Sequence, residues 1–562
     1  MTGVTQVADA YLDALAELDP DAAQAAGRTP DSLLPDLSPD GFDARARLAR
    51  RTAAHAATAT AHTPAERALA GALTDRLDSE IDLYDAGFTT RLLAPLATPV
   101  HLVRQVFDSL PRAGEDDWAV VAAHLRRVPT ALDQYAATLR RSARRGQLVA
   151  RRQVLVVADQ CADWVSTDFY GRLVADGPGG ALGAALERGA RSATEATAGF
   201  AAFLRTELAP FASDVDGVGR DLYRVTARSF LGATVDLDEL YAYGWAELRR
   251  TATELHAAAA ECGHPDVAAA RAALDADPAG RVPVGAALAE WLQRRTARLT
   301  DALDGTHFDI PPVTRQVHCR ISPTASGVMY YTPPDPALTR PGAIWWSTPP
   351  GETTVAVWRH VGTLCHEGLP GHHLQHAVTY TTADLHPWQR TLCHVHGYAE
   401  GWAHYAERLA DELGLYDGPA ERLGMLDGQM WRAARVVVDL GLHLDLPIPA
   451  GTGFTDARRW TPALAVDLLT RVAGLDAPTA RFEVDRYLGW PAQALAFKVG
   501  ARLWRQARRD AERRDGADFD RKRFHHTALA LGPMGLDPLR ARLADLSPPP
   551  AAPPPDDRKR PR

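Results

Sequence analysis

The chain has 562 residues, 46% of them hydrophobic and 23% charged, which suits a large buried core. Its 62 basic and 70 acidic residues leave a net charge of −8, which argues against a nucleic-acid binder driven by a basic surface. The five cysteines (Cys161, Cys262, Cys319, Cys365, Cys393) are scattered and form no CxxC pair, so the expectation is free thiols in a reducing compartment.

Residues 1–30 read as one helix, with Val7, Tyr11, Leu12, Leu15 and Leu18 near helical spacing. This start has no basic cluster and no long apolar run, unlike a signal peptide. No stretch approaches the roughly 20 apolar residues of a membrane span, and the expectation is a cytoplasmic protein without a membrane partner. After a Pro/Asp-rich connection over 30–45, helical patterns follow one another to about residue 305. Breaks are predicted at Pro111, Pro129, Gly177–Gly180 and Pro278–Pro283.

The character changes near residue 308. Short β candidates QVHCRI, GVMYYT and GAIWWST lie between Pro and Gly residues and predict a small inserted sheet. Helix is expected from Thr353 to about 545, and the Pro-rich, charged residues 546–562 read as a disordered tail. The whole predicts a mainly α, multi-helix fold with a deep cleft. Residues 1–545 would form a single intertwined domain: a helical half to about 305, the sheet over about 308–350, and site helices over about 353–545.

The chemistry concentrates in His366-Glu367-Gly368-Leu369-Pro370-Gly371-His372-His373. Helical zinc hydrolases carry two His four apart, with a Glu after the first as general base. Here the first half is present, but Pro370 stands where the second His would fall. Pro370 lacks an N–H and crowds the carbonyl of His366, so a kink or bulge is predicted after Glu367, with Gly371 supplying freedom. Such a distortion favours His372 as the second ligand and leaves His373 as the alternative, or as a supporting or substrate group. The third ligand is sought on HGYAEGWAHYAERLADELG, where Glu400, His404, Glu407 and Asp411 share one side. Glu400, set among Gly397, Tyr398, Gly401 and Trp402, is favoured because a buried carboxylate needs a partner. Glu407 is either an orienting group for a liganding His or the ligand itself. Farther on, Tyr487, Gln493, Lys498 and Arg502 are candidate donors to an oxyanion or a substrate carboxylate.

HEGLPGHHLQ, YAEGWAHYAERL and RYLGWPAQALAFKVG, with ADAYLDALAELDPDAAQAAG and YYTPPDPALTRPGAIWWST ahead of them, resemble in order the bacterial family known as domain of unknown function 885. The resemblance spans nearly the whole chain and implies a zinc-metallopeptidase-like protein. Carried over by position, it points to His366, Glu367, His372, His373 and Glu400. Phe497 stands where that family often has Tyr, and His404 where Leu is common.

The expectation is therefore one Zn2+, or another divalent metal, on His366, His372 and Glu400. Glu367 would act as general base, with Tyr487 or Tyr331 as a donor to the oxyanion. GAIWWST would be an edge strand beside a bound oligopeptide or small amide, with Trp345 and Trp346 shaping a subsite. Two alternatives stand beside this: a metal-dependent enzyme acting on one small metabolite, and a non-catalytic zinc- or peptide-binding protein.

Overall fold

A computed structural model describes residues 2–30, 34–322, 329–335, 337–348 and 351–545; the expected tail at 546–562 lies outside them. The described chain is mainly α-helical with a few short strands. Helix starts follow local chemistry. Thr63 and Glu66 form a reciprocal capping box ahead of Pro64–Asp85, and Asp236 caps Leu237–Glu261. The predicted single helix at 1–30 is two, Val4–Ala16 and Pro20–Ala25. Asp19 accepts from the backbone N–H groups of Asp21 and Ala22, and Pro20 occupies the first turn, so the dipeptide starts a new helix.

Among the described residues five strands form two small sheets. β1 (Arg281–Pro283) pairs antiparallel with β5 (Thr354–Ala356), while β2 (Val317–Ile321), β3 (Tyr330–Thr332) and β4 (Gly342–Trp346) form a second sheet in the order β2-β4-β3. Two expectations are corrected here. The chain after Thr353 first adds β5, in keeping with its β-branched Thr354 and Val355, and helix begins only at His360. GAIWWST is the central strand, parallel to β2 on one side and antiparallel to β3 on the other, so it offers no free edge. Trp346 is buried in its place against the His360 ring, and Trp345 stacks on Tyr330.

The largest hydrophobic core joins the first helix, through Val4, Val7 and Tyr11, to Trp402, Trp504 and Leu529 far along the chain. A second core, with Phe107, Trp118, Tyr135 and Phe200, is built within residues 34–209. A third clamps the three-stranded sheet, through Val317, Ile344 and Trp346, onto Leu364 and Cys365 of the His360–Glu367 helix. The helix carrying Glu400, His396–Glu412, packs against Leu495–Asp515 at a glycine contact. A Cβ at Gly401 would sit 2.7 Å from the Cα of Gly500. Backbone faces backbone there, so overpacking outweighs the gain in helix propensity. Gly401→Ala is expected to destabilise the protein by about 1–3 kcal/mol, read as a lower urea-unfolding midpoint.

Candidate metal centre

The His360–Glu367 helix buries Val361, Leu364 and Cys365 and delivers His366 and Glu367 at its last turn. The helix stops there, and a new one opens at His372. The predicted disturbance at Pro370 is thus a full break between two helices and not a bulge within one. A Cβ at Gly371 would collide with the carbonyl oxygen of His366, so the turn requires glycine at this position. The Trp402 indole donates to the carbonyls of Pro370 (2.9 Å) and Gly371 (3.2 Å) and ties the turn to the Glu400 helix.

This break brings the imidazoles together. The His366 and His372 ring centroids lie 4.9 Å apart. His366 Nε2 is 3.2 Å from Glu400 Oε2, and His372 Nε2 is 3.5 Å from the same oxygen. Among the described residues these three form the single group of His, Cys, Asp or Glu side chains with metal-ligand spacing, their donor atoms all within 4.8 Å of one another. Two ligands about 2.0–2.1 Å from a tetrahedral ion stand about 3.3–3.4 Å apart, so the two separations to Glu400 fit that geometry. Two imidazoles and a carboxylate are one of the donor sets found in catalytic zinc sites.

Glu407 is not in this cluster. Its Oε1 lies 2.8 Å from His366 Nδ1, and its Oε2 accepts from Gln429 Nε2 at 2.7 Å and faces His404 Nδ1 at 3.1 Å. It fixes the His366 ring with Nε2 toward Glu400. Burial alone would push the His366 imidazole down, but Glu400 and Glu407 hold it up, to about 10. Burial would likewise raise Glu400, yet His366 and His372 hold it well below the usual carboxylate range. The cluster favours positive charge between its groups. Glu407→Gln is expected to weaken zinc binding about 10–100-fold with the fold intact, measured by competition against a chelator of known affinity.

Glu367 is half-buried, and among the described residues its carboxylate makes no hydrogen bond. Burial and the charge of Glu400 raise its pKa, against the pull of His366, His372 and Arg432.

Four predicted site candidates fall elsewhere. His373 has both ring nitrogens committed: Nε2 is 2.6 Å from the Thr314 carbonyl oxygen and Nδ1 is 2.8 Å from the Tyr331 hydroxyl. It supports the turn and is not placed to ligate. Nε2 must donate to the carbonyl, so Nδ1 accepts the Tyr331 proton. Tyr487 is buried, its hydroxyl accepting from Arg435 Nε at 2.9 Å and Trp431 Nε1 at 3.3 Å. None of its described contacts reaches the cluster. Lys498 is buried between Gln429 and Glu247, and Arg502 pairs with Glu239 at the surface. The sequence reading missed Arg432, whose charge acts on Glu367, and Gln429, which completes the Glu407 network. The signal for Arg432 was an arginine amid the apolar run of the Pro419–Leu444 helix. On another side His394, an electrostatic neighbour of Glu400 and His372, lines a cavity of about 340 Å³ with Tyr11, Arg76, Glu80 and Trp388.

No curated protein matches this chain. Solved structures share its fold, among them two similar over nearly the whole chain. One is from Colwellia psychrerythraea, described as a "putative lipoprotein", at 18% identity and a TM-score of 0.80, covering 97% of this chain and 99% of that one. The other, described as a "putative lipoprotein of unknown function" from Shewanella oneidensis, is 17% identical with a TM-score of 0.72, covering 97% and 100%. The family model of a bacterial protein of unknown function, DUF885, matches residues 20–543, and the chain belongs to that family.

Proposed function

We propose that this protein is a zinc-dependent hydrolase, a metallopeptidase cleaving oligopeptides or small amide conjugates. The observation that carries the reading is the convergence of His366, His372 and Glu400, whose donor atoms lie within 4.8 Å of one another, next to Glu367, whose carboxylate makes no hydrogen bond among the described residues. The donor types favour zinc, although manganese, cobalt or iron would accept the same set. A bound ion would supply Lewis acidity, polarising the amide carbonyl and lowering the pKa of water toward about 7.

The chain's own residues do the rest. Glu367 takes a proton from the attacking water and delivers it to the leaving nitrogen. Glu407 keeps His366 oriented through Nδ1. Tyr331, an electrostatic neighbour of Glu367, replaces Tyr487 as the candidate donor to the oxyanion. It serves only by exchanging its bond to His373 for one to substrate, because its proton is already given.

The test is a peptide library incubated with the zinc-loaded protein. Turnover that a chelator removes and zinc restores supports the reading; turnover indifferent to the chelator, or none on any peptide or amide, ends it. We assign the protein to the cytoplasm on its five free cysteines, four of them buried. Among the described residues no helix is long and apolar enough to cross a membrane. The lipoprotein descriptions of the two similar structures favour a membrane-anchored relative of this fold instead. Cell fractionation decides, and recovery in the membrane pellet would contradict the assignment.

A further inference from the structure

Arg432 lies on the Pro419–Leu444 helix, behind the ring that His366 stacks on. Phe497 is 6.1 Å from the His366 ring, nearly parallel to it, and 5.7 Å from the Arg432 guanidinium carbon. Arg432 also rests 4.7 Å from the Trp431 ring. A Cβ at Gly428 would lie 3.5 Å from Arg432 Nη1 and 4.0 Å from Glu407 Oε2, so the guanidinium shares the side of the helix that faces the site.

Among the described residues this guanidinium has no hydrogen bond and no ion pair, and its Nε is buried without a partner. That is unusual for a buried charge, which is costly to leave unpaired. Three of the carboxylates near it are committed elsewhere, and the fourth, Glu367, on which its charge acts, makes no hydrogen bond or ion pair with it among the described residues. Glu407 bonds His366, His404 and Gln429; Glu400 faces His366 and His372; Glu483 pairs with Arg435 and Arg486. Arg435, one turn along the same helix, is by contrast partnered, with its Nε on Tyr487 and an ion pair to Glu483, although its Nη1 is buried without a hydrogen bond. Arg432 as a residue is half-buried.

We propose that Arg432 is a substrate-binding residue that takes a carboxylate of the substrate, the free C-terminus of a short peptide. A guanidinium offers five N–H donors in a planar fork matched to a carboxylate, and stacking on aromatic rings holds the fork in place. One extended residue spans about 3.3–3.6 Å, so at most about three residues reach from Arg432 past Phe497 to His366. A terminus anchored on Arg432 therefore presents an amide near the chain end to His366, His372, Glu400 and Glu367. The inference deepens the peptidase reading and rests on it for the reaction, but carboxylate binding itself needs no turnover.

The experiment uses the full chain carrying Glu367→Gln, zinc-loaded, with calorimetric titration of three compounds. These are N-acetyl-alanyl-alanine, its C-terminal amide, and N-acetyl-alanyl-aspartic acid α-amide, whose carboxylate is on the side chain alone. The free acid is expected to bind at least 10-fold more tightly than the amide. Arg432→Met should bring the acid to the affinity of the amide, with Arg432→Lys between the two. Circular dichroism and zinc content of both variants report the fold. Equal binding of acid and amide, equal loss for both on substitution, or no binding of any compound would overturn the proposal. Preference for the side-chain carboxylate would overturn the assignment to the terminus. Arg432-dependent binding in a protein whose wild type hydrolyses no peptide would leave this inference standing and remove the peptidase.

Discussion

Glu367→Gln is expected to lower kcat by about 10²–10⁴-fold while leaving zinc content and fold unchanged. The carboxylate is outside the donor cluster, so its loss removes no ligand. Among the described residues it makes no hydrogen bond, so the amide inherits no unsatisfied partner. Burial already favours the neutral acid, and glutamine matches its shape, so the melting temperature should hold or rise. Elemental analysis, melting and single-turnover kinetics on one preparation separate these effects. Full activity in the variant would show that another group handles the proton; lost zinc would show that Glu367 ligates.

The second large effect distinguishes neighbouring histidines. His372→Ala removes one of three donors and should drop bound zinc well below one per chain, with activity falling to the level of Glu367→Gln. His373→Ala should retain zinc, because neither of its ring nitrogens faces the cluster. Its cost falls on stability instead: the buried Thr314 carbonyl loses its donor and Tyr331 its acceptor, worth about 1–3 kcal/mol. Zinc retained by His372→Ala and lost by His373→Ala would reverse the assignment.

That distinction shows how far the sequence reached. Pro370 and Gly371 announced a disturbance, and the chain does break there. The closing partner was hidden: the Trp402 indole on the turn carbonyls comes from the next long helix. Consecutive residues point about 100° apart around a helix. The choice between His372 and His373 therefore depends on where the new helix begins, which packing sets. Glu400 and Glu407 share a helix face by spacing. Only the fold reveals that Gln429, 22 residues beyond Glu407, and His366 occupy its oxygens. Tyr487 carried the right chemistry but answers to Arg435 and Trp431, whose approach no local pattern encodes. GAIWWST was legible as a strand; its central place depends on β2 and β3 flanking it. The Asp19-Pro20 helix start, by contrast, follows a local capping signal that a reading of spacing alone passed over.

Anomalous diffraction from zinc-soaked crystals, on both sides of the zinc absorption edge, tests the centre most directly. One strong peak is predicted about 2.0–2.2 Å from His366 Nε2, His372 Nε2 and a Glu400 oxygen, with Glu367 beside it and unliganded. A well-ordered protein with no peak there, or with zinc held by His373 or Glu407 instead, would contradict the account.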